Sequence, residues 1–113
     1  MKYTEEFPPL MQILVDAVHT AADCPSSNSK AREMAKALPK QLPAMLTKLR
    51  TKILAGPFVG TWNHHTYMIL DAPSMKEAQE LTLGLAQTNT VNLVPIVSIE
   101  EALKAVEGLT PLH

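Results

Sequence analysis

The sequence predicts an α+β fold: an antiparallel sheet with two helices packed on one face and a short helix closing the chain. Three observations lead there. Blocks at residues 11–20, 52–59, 65–72 and 92–97 are rich in branched apolar residues and bounded by proline, glycine or polar clusters, which is how strands read. Residues 30–49 and 74–86 instead carry apolar side chains at helical spacing behind capping residues. The 113 residues, 46% apolar and 19% charged, suffice for one hydrophobic core but not two.

The first strand is expected at residues 11–20, between Pro9 and the Asp23-Cys24-Pro25 turn. Ser26, Ser27, Asn28 and Ser29 offer N-caps to a helix over residues 30–49, where Met34, Leu38, Leu42, Met45, Leu46 and Leu49 form one apolar stripe. Pro39 and Pro43 lie inside it. Each removes a backbone donor at about 3 kcal/mol, so a kink or break is expected near Leu38.

Residues 52–59 and 65–72 should pair as a hairpin around a turn at 60–63. Ser74 and Glu77 stand at capping-box spacing after Pro73, so a second helix begins there and runs to about Ala86. Residues 92–97 contain Pro95, which cannot donate to a ladder and therefore belongs on an edge strand. Ser98 and Glu101 repeat the capping box for a last short helix, which Gly108 stops.

Strand, helix, strand, strand, helix, strand is the order of a ferredoxin-like βαββαβ domain, in which the first and third strands are antiparallel central neighbours. Residues 10–108 would form that domain, with 1–9 as an N-terminal extension and 109–113 as a tail. The two central strands carry apolar residues at both parities: Ile13, Val15 and Ala17 against Leu14 and Val18, and Tyr67 and Ile69 against Met68 and Leu70. Both sheet faces then need cover, and a second copy of the sheet supplies it. A homodimer or higher homo-oligomer is expected.

A net charge of -1 lacks the clustered Lys and Arg excess that phosphate neutralisation requires, so nucleic acid is not expected as a partner. The basic residues between Lys40 and Lys52 are interrupted by apolar ones at helical spacing and read as a solvated helix face. Cys24 is the one cysteine, which excludes an internal disulfide framework and fits a reducing compartment. The start of the chain lacks the pattern of a signal peptide, and no segment reaches the roughly 18 apolar residues of a membrane span. The expected location is cytoplasmic, with no membrane partner.

Three stretches resemble the dimeric α/β-barrel superfamily over about residues 10 to 106: His19-Thr20 with Asp23-Cys24-Pro25; His64-His65-Thr66-Tyr67-Met68-Ile69-Leu70-Asp71-Ala72; and Val94-Pro95 through Ala102. Within it the chain is most similar to small prokaryotic members related to muconolactone isomerases and antibiotic-biosynthesis monooxygenases. The proline-rich residues 1–9 depart from that pattern. The resemblance implies two ferredoxin-like sheets paired face to face around a pocket. It does not fix one activity, because such barrels host isomerases, cofactor-free monooxygenases, haem-degrading enzymes and nickel-binding proteins.

The end of an antiparallel first strand lies beside the start of the third, so His19 should approach His64 or His65. Side chains alternate along a strand, so only one of that adjacent pair can share a face with His19, and His64 is favoured. With Cys24 folding back over the same end, His19, Cys24, His64 and His65 are candidate ligands for a divalent transition metal such as zinc, nickel or iron. Asp16, a carboxylate in mid-strand, together with Trp62 and Tyr67, are candidates for binding a small ligand.

The ordinary alternative is a set of histidines that simply begin and end strands in contact with water. Three functions remain in competition: a metal- or ligand-binding barrel; a cofactor-free monooxygenase or isomerase acting on a small aromatic or lactone substrate, with His19 or His64 as acid and base; and an assembly subunit without a site. No phosphate-binding glycine loop, dinucleotide fingerprint or nucleophile motif is present, which sets aside phosphoryl and hydride transfer.

Overall fold

A computed structural model describes residues 10–108 and shows an α+β domain with a four-stranded antiparallel sheet and three helices. The expected extension and tail lie outside the described residues. The strands are β1 (Met11–Val18), β2 (Lys52–Val59), β3 (His65–Ala72) and β4 (Thr90–Ile96). The helices are α1 (Ser29–Lys48), α2 (Met75–Thr82) and α3 (Ile99–Glu107). The sheet order is β2-β3-β1-β4, so β1 and β3 are central and Pro95 does sit on an edge strand.

Alternation decides which side chains enter the core. Ile13, Val15 and Ala17 of β1 and Met68, Leu70 and Ala72 of β3 are buried, and they share one face because Ile13 opposes Leu70 and Val15 opposes Met68. On that face lie Leu42 and Leu49 from α1 and the end of its turn, with Ala78 and Leu81 from α2. The opposite face carries Leu14, Asp16, Val18, His65, Tyr67 and Ile69, each only half-buried. The expectation of apolar residues on both faces therefore holds, and among the described residues the helices cover one of them.

α1 is continuous from Ser29 to Lys48, without the break expected near Leu38. Pro39 and Pro43 are four residues apart and both exposed, so the carbonyls that lose an intrahelical partner, Ala35 and Pro39, lie on the solvent side. The stripe of Leu38, Leu42, Met45 and Leu46 still packs on the core. Asn28 is the N-cap, its side chain accepting from the Ala31 N–H at 3.0 Å. The C-terminus closes in a Schellman motif: Thr51 N–H donates to Leu46 at 3.0 Å and Arg50, at φ 53, takes the left-handed position usually given to glycine.

α2 stops at Thr82, four residues before the expected end, and a single 3-10 turn, Leu85–Gln87, leads into β4. That strand begins at Thr90, two residues earlier than the sequence pattern indicates. Ser74 and Ser98 are the N-caps of α2 and α3, Ser98 accepting from the Glu101 N–H as the spacing requires and Ser74 from the Lys76 N–H, one residue short of it. In β2 the register slips between Ile53 and Ala55 and again before Phe58. Gly56 sits there at φ 88, and a Cβ on it would meet the Tyr67 carbonyl oxygen at 2.7 Å, so only glycine lets β2 run this close to β3.

α3 has no buried residue. Ile99, Leu103 and Val106 recur on one stripe and are 76%, 54% and 62% exposed, so an amphipathic helix of nine residues lies uncovered among the described residues. No helix among the described residues is long and apolar enough to cross a membrane.

Candidate functional site

The ladder between β1 and β3 ends at Val18 opposite His65 and is extended by one bond, His19 N–H to the His64 carbonyl at 3.1 Å. His19 and His64 are thus directly opposed, and their rings meet edge to face with centroids 5.1 Å apart. His64 has φ 59, a left-handed conformation that histidine adopts more readily than bulkier or branched residues. This residue closes the hairpin turn begun at Gly60, whose N–H donates to His65 O at 2.9 Å. His64 Nδ1 and His19 Nε2 are 3.3 Å apart.

Cys24 reaches the same place from the chain between β1 and α1. A 3-10 turn at Ala21–Asp23, capped by Thr20, brings the chain back over the strand end, and Asn28 N–H donates to the Cys24 carbonyl at 2.8 Å. The donor atoms of His19, Cys24 and His64 all lie within 4.8 Å of one another. The Ser26 hydroxyl lies 3.0 Å from Cys24 Sγ. That hydroxyl, the Ser26 backbone N–H and then the His64 ring hold the Cys24 thiol below its ordinary pKa, which favours the thiolate that binds metals.

A fourth residue orients the first. Asn89 donates its Nδ2 to the Leu85 carbonyl and to Thr88 Oγ1, each at 3.1 Å, so its amide oxygen is the atom turned to His19 Nδ1 at 3.3 Å. His19 then carries its proton on Nδ1 and presents the Nε2 lone pair toward His64. This is how an outer hydrogen bond fixes the tautomer of a ligating histidine. Asn89 also lines a cleft of about 560 Å³ between α1 and the 3-10 turn, whose walls include Leu38, Leu42, Val59 and Leu85.

His65 stands apart from this group. It points to the other face of the sheet, where its Nδ1–H donates to Asp16 Oδ1 at 2.5 Å and its ring stacks on Tyr67 at 5.5 Å between centroids. Asn63 donates to the Tyr67 hydroxyl at 2.9 Å. Trp62, at the turn, is 94% exposed. Of the seven residues singled out from the sequence, three converge on the helix-covered side, three meet on the open side, and Trp62 projects outward.

The sequence offers Ser26 only as a helix cap and Asn63 only as a turn residue, and gives Asn89 no role. Asn89 was in principle findable: Val18 opposes Thr90, so the residue before β4 must fall beside His19. Starting that strand at residue 92 hides the pairing.

The chain matches no family model, no curated protein and no solved structure.

Proposed function

We propose that this chain is a ferredoxin-like subunit of a homodimeric α/β barrel that binds a divalent transition metal through His19, Cys24 and His64. The observation that carries the metal reading is the convergence of two imidazoles and one thiol within 4.8 Å. Tetrahedral zinc with Zn–N bonds of 2.0–2.1 Å has N···N edges of about 3.3–3.4 Å. The His19–His64 separation of 3.3 Å has that length, and the Cys24 Sγ lies within 4.8 Å of both donor nitrogens. Two nitrogens and a sulfur suit zinc, copper or nickel better than the hard oxygen-seeking cations. Three protein ligands leave a fourth position open for water or a small molecule.

Metal analysis of protein purified without an affinity tag tests this reading. One equivalent of metal is expected, and a His64→Ala variant should emerge without it. Protein that is metal-free, and stays so after incubation with zinc and gel filtration, overturns the proposal.

Support for the second copy comes from the uncovered surfaces. Leu14, Val18 and Ile69 on the open sheet face, with Phe58 62% and Val94 45% exposed beside them, form an apolar face larger than scattered single residues would give. Sedimentation at micromolar concentration should give a dimer or larger species. A stable monomer there rules out the barrel.

A further inference from the structure

We propose that Asp16, His65 and Tyr67 form a second site, a proton-transfer centre on the open face of the sheet for a small molecule carrying an enolisable carbonyl. This inference goes beyond the metal reading and does not rest on it. It starts from register. Asp16 opposes Tyr67 directly, and His65, opposite Val18, is the diagonal neighbour of Asp16 and stands two residues before Tyr67 on β3, so the three side chains leave the same face within one another's reach.

Their hydrogen bonds assign separate tasks. Asp16 accepts from His65 Nδ1–H at 2.5 Å, with both side chains less than a third exposed. The imidazole is therefore held in the tautomer whose Nε2 bears the lone pair, the arrangement of a general base oriented by a carboxylate. Tyr67 oxygen accepts the Asn63 amide proton at 2.9 Å, which leaves the phenol's own proton to be donated elsewhere. Stacking of the two rings at 11° sets base and donor side by side. Around them the face is apolar, with Leu14, Val18 and Ile69 half-buried and Phe58 exposed, a floor suited to a hydrocarbon flank.

The step balances without any added reagent. His65 Nε2 takes a proton from the carbon next to the carbonyl. The C–H electron pair becomes the C=C bond of an enolate, the carbonyl π pair moves onto oxygen, and that oxygen receives the Tyr67 hydrogen bond. Nε2–H then returns its proton to the same carbon or, in a conjugated substrate, to another, giving exchange or isomerisation. Asp16 acts as a positioning residue throughout.

Cyclohexanone in D2O is a suitable probe, with loss of the α-proton signal followed by NMR. Saturable exchange above the buffer rate is expected, falling about 100-fold in His65→Gln, the scale of a positioned base. It should fall about tenfold or more in Tyr67→Phe, the scale of a lost oxyanion donor. Exchange by the unmutated protein no faster than by His65→Gln overturns the proposal. A second measurement needs no variant of the base: spectra of 15N-histidine-labelled protein should show His65 protonated on Nδ1, and Asp16→Asn should redistribute that proton between the two ring nitrogens. An Nε2–H tautomer in the unmutated protein overturns the proposal equally.

Discussion

Replacing Cys24 by serine or His19 by alanine should each lower zinc affinity by more than 100-fold, while Asn89→Ala should lower it by about 10–100-fold, the range for loss of an outer hydrogen bond to a ligating histidine. The ranking follows from position. Cys24 and His19 each contribute one of the three converging donor atoms, whereas Asn89 touches only the far nitrogen of His19. Removing Asn89 frees the His19 proton to move to Nε2, where it occupies the lone pair the metal needs. Competition against a chromophoric chelator measures all three constants. The same ranking should appear in thermal unfolding, because metal at 100 times its Kd adds about 2.7 kcal/mol to folding stability. Unchanged affinity in Cys24→Ser and His19→Ala together would remove the site.

The parts that sequence made legible are those governed by short-range pattern. Apolar runs bounded by turn residues placed β3 at residues 65–72 and β2 within 52–59, and strand order brought His19 to the His64-His65 pair, of which His64 is the one it meets. Side-chain alternation explains why the two adjacent histidines part company, His64 joining the helix-covered side and His65 the open one. What stayed hidden depended on register or on solvent. Asp16 in mid-strand announced the need for a partner, but that the partner is His65, a diagonal neighbour, becomes visible only once Asp16 is known to oppose Tyr67. The two prolines of α1 argued for a break that the helix avoids by turning both toward water. Asn89 was concealed by a strand start placed two residues late. The apolar stripe of α3 was readable as a pattern, yet nothing in the pattern told that it would find no cover within the described chain.

Leu70→Ala should cost about 2–5 kcal/mol, the range for deleting a fully buried leucine side chain and leaving a partly collapsed cavity. Leu70 is 0% exposed on a central strand, paired with Ile13 on one side and Ile53 on the other, and it belongs to the core cluster with Leu42 and Leu81. Neighbouring strands and both helices hold their places around it, so relaxation into the void is limited. Against a total stability of about 5–15 kcal/mol for a domain of this size, such a loss leaves a marginal fold, and chemical denaturation should show it as a lower midpoint. The informative comparison is its immediate neighbour. Ile69 opposes Leu14 on the open face and is only half-buried in the single chain, so Ile69→Ala should cost little if that face meets water. A second sheet lying on it changes the outcome: the substitution then weakens assembly, and the unfolding midpoint of the variant becomes more dependent on protein concentration than that of the unmutated chain. Equal and concentration-independent effects at residues 69 and 70 would mean that Ile69 is buried within a single chain, against the one-sided packing on which the barrel reading depends.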